Sequence, residues 1–470
     1  MKIVVAAALA LIAAAPLQAE TLSDTLVQAY RSSPILEQQR LLLRATDEDV
    51  AVAVSALRPT VNFQASYSKA TTFTDLQTRT SPLGQTQQLG GRQTTTDGSL
   101  ALVLEYTLVD GGQRALRLSA AKEAVLAARF NLVQIEQNVL LDAVRAYFDL
   151  RLAVQTVDVR ESNVGLVTQQ LQAAEDRFEV GEVTRTDVAI ARARLSESQS
   201  LLAAARGDVD IARENYRLAV GELPTGTLAA PPSVPEIPPN VDRAQQLALQ
   251  VHPLISSGQH DVAALTILAE AAAADRLPTI GLQGRLGRSR PDIDRASVGL
   301  TGNVPLYTGG RLPALQRRAI ARAQAQRASL GQTARDIVEA VGRAWAGLLV
   351  ARAQIEANEE GVRAARLAFD GFREEAQLGA RTTLDVLNAE QDLLDARVSL
   401  LEAEAQAQLA IYNILAAIGL LTVDHLGLSV ERYDVTDYYN LVSNAPQDVL
   451  TQPSDRGNRL DRVLRRFGRN

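Results

Sequence analysis

RFEVGEVTRTDV at residues 177–188 and EAQLGARTTLDV at residues 375–386 each predict the turn of a helical hairpin. They are copies of one pattern, 198 residues apart, in which a glycine lies six residues before an aspartate. The positions that coincide at this offset include Gly181 and Gly379, Asp187 and Asp385, Arg145 and Arg343, Asn215 and Asn413, and the pairs 111–112 and 309–310. The chain is therefore predicted to be a tandem duplication.

Long helices are predicted on both sides of each stretch. After each aspartate, small and apolar residues step by three and four, the heptad spacing of helices that pack side by side. The first seam comprises Val188, Ala191, Leu195, Ser198, Leu202, Ala205, Val209, Ala212, Tyr216 and Ala219, and the second comprises Val386, Ala389, Leu393, Ala396, Leu400, Ala403, Ala407, Ala410, Ile414 and Ala417. The preceding helices, from about 112 to 180 and from about 310 to 378, would be about 100 Å long. Each pair is predicted to form a hairpin with its tip near 181–187 or 379–385.

Upstream of the long helices, the two halves align at an offset of 219 residues. The prolines that coincide there are Pro34 with Pro253 and Pro59 with Pro278. The first half therefore has 21 extra residues, which lie between Tyr67 and Ser99. Because this stretch is rich in Thr, Gln, Ser and Gly, it predicts a longer exposed loop. Each half begins with one helical stretch, over 22–56 and 241–276.

Two segments in each half alternate apolar and polar residues, the pattern of strands with one apolar face. The four predicted strands cover about 58–68, 99–109, 278–288 and 296–307. Each is long enough to cross a bilayer at a tilt, although a small sheet packed on helices would show the same alternation. If the strands span a membrane, four cannot close a barrel, so two, three or four copies must supply about 8, 12 or 16 strands.

The chain divides into six predicted segments. They are a secretory signal peptide over 1–19, a first repeat over 20–222, a proline-rich linker over 223–240, a second repeat over 241–420, a region over 421–452, and an arginine-rich, disordered tail over 453–470. The signal peptide follows from Lys2, an apolar run and the small residues before Glu20. Beyond it, no uncharged apolar run of about 18 residues predicts a transmembrane helix.

The composition argues against several functions. The net charge of -6 and the absence of a basic surface argue against nucleic acid as a partner. The absence of cysteine excludes disulfides, thiol catalysis and a lipoprotein anchor, and the three histidines, His252, His260 and His425, form no metal-binding motif. Neither a phosphate-binding loop nor a nucleophile–base motif occurs. We therefore expect no cofactor, no metal and no enzymatic activity.

The two glycine turns, the strand entry Leu277-Pro278-Thr279 and the duplication resemble the TolC-type outer-membrane channels, or outer membrane factors, over nearly the whole mature chain. The resemblance implies a mainly α-helical homotrimer with a small membrane β part. Its long hairpins would form a periplasmic α-barrel of about 12 helical strands, topped by a transmembrane β-barrel of about 12 strands in outer-membrane lipid. The linker 223–240 and the region 421–452 would form an equatorial belt. The implied partners are a periplasmic adaptor (membrane fusion protein) and an inner-membrane ABC or proton-driven transporter.

The same resemblance assigns roles to the two tips. The adaptor would dock on the turn residues Val180, Gly181, Glu182 and Val183 of the first tip and Leu378, Gly379 and Ala380 of the second. The periplasmic aperture and its gate would comprise Asp385, Asn388, Arg381, Thr186 and Asp187. Arg381 would reach Thr186 or Asp187 of the neighbouring hairpin and hold the closed state. Asp187 and Asp385 are also expected, from position alone, to cap the returning helices.

Two residues depart from the family pattern. Asn388 stands where a second aperture aspartate is expected, and Ala376 stands where a closing tyrosine is expected. We therefore expect a weaker acidic ring and a weaker latch than in TolC itself.

These features together predict a passive outer-membrane exit duct of a Gram-negative cell, with a long periplasmic extension. It would serve type I protein secretion or drug efflux, and we favour protein secretion because the lipoprotein cysteine is absent and the tip motifs look closest to that subgroup. Dedicated small-molecule efflux is the alternative within the channel interpretation. A periplasmic coiled-coil scaffold is the alternative outside it, and it explains the heptads but not the four strands.

Overall fold

The computed structural model describes residues 19–80, 82, 84, 86–230, 235–289 and 293–446. The first half contains α1 (Leu22–Ser32), α2 (Pro34–Ser55), β1 (Thr60–Thr80), β2 (Thr86–Val109), α3 (Gln113–Glu179) and α4 (Arg185–Val220). The second half contains α5 (Val241–Val251), α6 (Pro253–Ala274), β3 (Thr279–Ser289), β4 (Ile293–Asn303), α7 (Arg311–Gln377), α8 (Thr383–Ile418) and the short α9 (Asp437–Val442). The protein is therefore mainly helical with a small strand part, and its halves repeat one order of elements.

Each predicted segment lies partly or wholly outside the described residues. The parts concerned are the signal peptide before Ala19, residues 81, 83, 85 and 290–292 of the two repeats, the centre of the linker over 231–234, the region 421–452 from 447 onward, and the arginine-rich tail over 453–470. None of the helices within the described ranges combines the length and the apolar character needed to cross a membrane.

The chain packs as two compact units. The first contains the described residues up to Leu43 together with Ala128–Gly258 and Ser329–Tyr433, and the second contains Arg44–Ala127, Gln259–Ala328 and the residues from Asp434 onward. The returning helices α4 and α8 and both hairpin tips belong to the first unit, whereas all four strands belong to the second.

The leading helical stretch of each half is broken, where the sequence predicts one continuous helix. In the first half the break lies between Ser33 and Pro34, and in the second half it lies between His252 and Pro253. The physical cause is the proline ring, which disfavours the helical conformation of the residue before it. Ser33 and His252 accordingly have extended backbone angles, with ψ of 117° and 128°.

The seam residues predicted in the returning helices are confirmed as the buried face. The fully buried members are Ala191, Ser198, Leu202, Ala205, Val209, Ala212 and Tyr216 in α4, and Val386, Ala389, Leu393, Ala403, Ala407, Ala410 and Ile414 in α8. Within the first unit, α4 contacts α1 and α8, and α5 contacts α8. Small side chains along each seam favour close approach of neighbouring helices.

The four strands form one antiparallel sheet in the order β1-β2-β3-β4. Phe63 lies opposite Leu102, Leu102 opposite Leu286, and Leu282 opposite Leu300, so these apolar side chains share one face. That apolar face is exposed, since Phe63 is 66% and Leu300 69% accessible. A large exposed apolar face of this kind marks a surface that another apolar phase or partner covers.

The prediction of a loop between Tyr67 and Ser99 is wrong. Strand β1 continues to Thr80 and β2 begins at Thr86, and the two remain paired from Thr60 opposite Glu105 to Thr80 opposite Thr86. The extra residues therefore lengthen a hairpin. The alternation test missed it because residues 68–80 and 86–98 are mostly polar or small, so neither face carries a regular apolar signal. Its threonines nevertheless favour extended backbone.

Candidate functional site

The two glycine turns at the hairpin tips have the same backbone geometry. Gly181 and Gly379 have φ of +82° and +80°, in the left-handed region that glycine adopts without strain. In the first turn, the N–H of Glu182 donates to the carbonyl of Arg177 at 2.9 Å, and in the second, the N–H of Ala380 donates to the carbonyl of Glu375 at 2.9 Å. This six-to-one bond is the Schellman ending of a helix.

Each tip presents an exposed apolar side chain immediately before its glycine. Val180 is 72% and Leu378 86% accessible, and the two positions coincide in the repeat. The other predicted docking residues, Gly181, Glu182, Gly379 and Ala380, are also exposed, and Val183 is half-buried. Each hairpin tip therefore presents one exposed apolar side chain at the same position of the turn.

The two tip aspartates cap the returning helices. The carboxylate of Asp187 accepts hydrogen bonds from the backbone N–H and the hydroxyl of Thr184, at 2.8 and 2.7 Å. The carboxylate of Asp385 accepts the same two bonds from Thr382, at 3.0 and 2.9 Å. These capping boxes hold the pKa of both carboxyl groups below the usual range, mainly through the hydrogen bonds from Thr184 and Thr382. Both aspartates thus remain charged at neutral pH.

Arg381 is held within its own turn. Its Nε donates to Oε2 of Glu375 at 2.8 Å, and its guanidinium lies 4.4 Å from the centre of the Phe372 ring. Within this one chain the structure does not bring Arg381 to the predicted partners Thr186 or Asp187. Thr186 is exposed on the first turn of α4, and Asp187 is engaged by Thr184.

Asn388 joins the two repeats, a contact that sequence reasoning missed. Its Oδ1 accepts a hydrogen bond of 2.8 Å from Nη2 of Arg194 in α4, and Nη1 of Arg194 also pairs with Glu197 at 2.8 Å. The only local signal for Arg194 was its spacing of three residues from Glu197. The Arg194–Asn388 bond links residues 194 positions apart, so no pattern along the chain identifies it.

Glu390 is a buried carboxyl group beside the tips, and it too was not predicted. It is 4% accessible, its Oε1 accepts a 3.0 Å hydrogen bond from Nδ2 of Asn163 in α3, and its Oε2 is buried without a hydrogen-bond partner among the described residues. Burial raises its pKa to about 7, and the Asn163 hydrogen bond offsets part of that rise. The group therefore changes protonation near neutral pH.

Two apolar clusters surround these polar contacts. One comprises Val167, Ala174, Ala191 and Leu387, and the other comprises Phe369, Val386, Ala389 and Leu393. Ala376 packs at the edge of the second cluster and lines a cleft of about 250 Å³ together with Arg177 and Arg373. Within the described ranges, no group of three or more metal-binding side chains converges.

Comparison with known proteins identifies relatives over most of the chain. The family model described as "Outer membrane efflux protein" matches residues 25–222 and 244–420. Outer membrane efflux protein BepC of Brucella suis is 36% identical over 90% of this chain and 91% of its own length. Alkaline protease secretion protein AprF of Pseudomonas aeruginosa is 30% identical over 57% of this chain and 58% of its own length. The crystal structure of the Campylobacter jejuni CmeC outer membrane channel superimposes with a TM-score of 0.75 at 17% identity, covering 91% of this chain and 90% of that one.

Proposed function

The chain belongs to the outer membrane efflux protein family, and we propose on this basis that it is the outer-membrane exit duct of a tripartite export system. It is a protein of the outer membrane, and its family consists of channel proteins rather than enzymes. We propose a passive duct, in which an inner-membrane ABC or proton-driven transporter supplies the energy and a periplasmic adaptor connects the two.

The four-stranded sheet with an exposed apolar face is the observation that carries this proposal. Strands β1 and β4 are the outer strands of the sheet and leave unpaired backbone groups along both edges. Unpaired edges are not tolerated in lipid, because no water satisfies their hydrogen bonds. We propose that β4 of one copy pairs with β1 of the next, and that three copies close a barrel of about 12 strands with the apolar face toward lipid.

The helical part of the proposal follows from the two similar hairpins. The α3–α4 and α7–α8 hairpins of three copies would supply about 12 helical strands to a periplasmic α-barrel. The linker 223–240 and the region 421–452 would form its equatorial belt. In the described part of that region, Val423 is buried and its N–H donates to Oε1 of Glu136 in α3 at 2.8 Å, which fits a segment packed on the hairpin.

Adaptor docking is proposed at the two tips. The exposed side chains of Val180 and Leu378 offer apolar contacts, and the Gly181 and Gly379 turns hold them in equivalent positions. Apolar side chains exposed at a loop tip contribute to affinity when a partner buries them. Glu182, Val183 and Ala380 would lie at the rim of this contact.

The aperture is proposed to lie at the same end. Three copies of Asp385 would form an acidic ring, since the capping box keeps each carboxylate charged. Glu375 holds Arg381 in its own turn, and we propose that Arg381 stabilises the closed state chiefly through that turn. Asn388 would stabilise it through Arg194.

The cargo is proposed to be protein, exported by type I secretion, with small-molecule efflux as the alternative. The name of AprF refers to protease secretion and the name of BepC refers to efflux, so each of the two interpretations is supported by one relative. The periplasmic scaffold alternative is not supported by these relatives.

Two experiments test the proposal. The first is fractionation of cells, followed by the native mass of the detergent-extracted protein. A trimer from the outer membrane supports the duct, whereas a detergent-independent soluble dimer contradicts it.

The second experiment places a photocrosslinking residue at Val180 or Leu378 in the native host. An adaptor captured at both positions but not at Leu218, which is 86% accessible near the far end of α4, supports docking. Equal capture at all three positions contradicts docking at the tips.

A further inference from the structure

The polar face of the sheet carries two exposed arginines, one on each of the neighbouring strands β3 and β4. Side chains alternate between the two faces of a strand, so Arg285 in β3 and Arg295 in β4 lie on the face opposite Leu282, Leu286 and Leu300. Both arginines are exposed. Among the described residues, neither takes part in an ion pair or a side-chain hydrogen bond.

The strand register makes the two arginines neighbours. Arg285 lies opposite Val103 on one side and Ser297 on the other, and Arg295 lies opposite Gly287. Because Arg285 and Gly287 are two residues apart on one strand, Arg285 and Arg295 are diagonal neighbours on the same face, about 7–8 Å apart at the backbone. Short residues opposite them leave the long guanidinium side chains free to extend from the sheet.

One acidic residue on this face, Glu105, is a diagonal neighbour of Arg285 and offsets only one of the two positive charges. In the four-stranded part of the sheet, the only other charged residue on the polar face is Glu105, which lies opposite Gln283 and thus on the side of Arg285 away from Arg295. A contrast exists on the apolar face, where Arg288 lies 3.6 Å from its partner Asp294. The polar face therefore has an excess of positive charge around Arg285 and Arg295.

We propose that Arg285 and Arg295 of three copies form an arginine belt inside the β-barrel, and that this belt binds multivalent anions in the mouth of the duct. The proposal rests on the trimeric barrel proposed above, in which the apolar face contacts lipid and the polar face lines the pore. The belt would contain six guanidinium groups against three Glu105 carboxylates.

The physical basis is the confinement of like charges in a narrow pore. Rings of arginine select for anions, and low-dielectric walls concentrate the field of the ring in the lumen. Guanidinium groups donate several hydrogen bonds in a plane, which suits sulfonate, phosphate and carboxylate groups. Cargo that bears several such groups would be held at the belt during exit.

Binding of a trisulfonated pyrene dye to the purified trimer in a neutral detergent tests the belt. The dye's fluorescence anisotropy gives the dissociation constant for the wild-type protein and for the double variant R285Q/R295Q. We expect the variant to bind at least about tenfold more weakly, because the charge-assisted hydrogen bonds to the sulfonates are lost. The matched control R288Q removes an arginine of the same strand from the apolar face and should leave the affinity unchanged. R285K/R295K keeps the charge but loses the planar guanidinium donors, so its affinity should lie between those of the wild type and of R285Q/R295Q.

The possible results distinguish a failure of the proposed arginine belt from a failure of the proposed duct. A double variant that forms a trimer and binds the dye as tightly as the wild type overturns the belt and leaves the duct intact. Loss of affinity in R288Q equal to that of R285Q/R295Q also overturns it, because binding would then not depend on the polar face. A wild-type protein that is not a trimer by native mass contradicts the duct itself and the belt with it.

Discussion

The Nδ2 group of Asn163 donates a hydrogen bond of 3.0 Å to Oε1 of Glu390, and this contact is buried between α3 and α8 beside the hairpin tips. It joins the two repeats through residues 227 positions apart. A buried carboxyl group with one satisfied oxygen is stable when protonated and costly when charged. The packing of the two hairpins is therefore linked to pH.

Glu390→Gln should remove part of the pH dependence of stability. The native pKa of about 7 lies above the ordinary value of 4.5, so the native state binds the proton more tightly than the unfolded state does. The contribution of Glu390 to the free energy of unfolding is full below about pH 4.5 and is lost as the pH rises through 7. The total loss is about 3 kcal/mol per site. Thermal unfolding midpoints between pH 5 and 8 should fall with pH in the wild type and vary less in E390Q.

A matched control for this measurement is Glu404→Gln, which alters an exposed glutamate of the same helix. E404Q should keep the wild-type pH profile. If E390Q also keeps it, ionisation of Glu390 is not the source of the dependence.

Arg194→Ala should weaken the closed state of the duct. The substitution removes the 2.8 Å bond to Asn388 that joins α4 to α8. A hydrogen bond of this kind contributes about 1 kcal/mol, which corresponds to about a fivefold change in the open population. Single-channel conductance in a planar bilayer should show the increased leak. Arg192→Ala is the control, because Arg192 pairs with Glu175 in the same hairpin, and equal leak in both variants would rule out a role for the contact between repeats.

Arg381→Ala should raise the leak conductance as well, but by less. The substitution removes an ion pair with Glu375 whose side chains are 42% and 51% accessible, and solvent screening weakens exposed pairs. The same bilayer recordings measure it, with Arg363→Ala as a control that removes an exposed ion pair within α7. An unchanged closed-state conductance in R381A would count against any latch role for this residue.

Gly419→Ala should destabilise the first unit strongly. Gly419 has φ of +94° at the end of α8, and an added Cβ would lie 2.8 Å from both Cα of His252 and Cδ of Pro253. Its carbonyl also accepts a hydrogen bond from Gln137, which opposes a shift of the backbone. Strain and overpacking together should cost about 3 kcal/mol or more.

Gly427→Ala measures the cost of backbone strain at a positive φ without the overpacking expected at position 419. Gly427 also has a positive φ, +60°, but an added Cβ meets nothing within 4 Å. Its cost should therefore be about 1 kcal/mol, from strain alone. Urea unfolding of both variants measures the difference, and similar midpoints would show that the contact with His252 and Pro253 relaxes freely.

The sequence alone predicted the features that depend on spacing along the chain. The duplication, the glycine turns at Gly181 and Gly379 and the buried seams of α4 and α8 are local or repeated patterns, and each has a direct physical cause in backbone conformation or helical period. The capping role of Asp187 and Asp385 is of the same kind, because a helix end needs an acceptor at a fixed position.

Contacts between residues that are distant in the sequence became known only from the tertiary structure, because they depend on how the helices pack. The pairing of Asn163 with Glu390 and of Arg194 with Asn388 requires the two repeats to pack in one register, and no local pattern specifies that register. The length of the β1–β2 hairpin was likewise set by backbone pairing, since a stretch that is polar on both faces of the strands shows no apolar alternation in the sequence. The sequence thus determined the elements and their repeat, and the packing of the repeats determined which side chains interact.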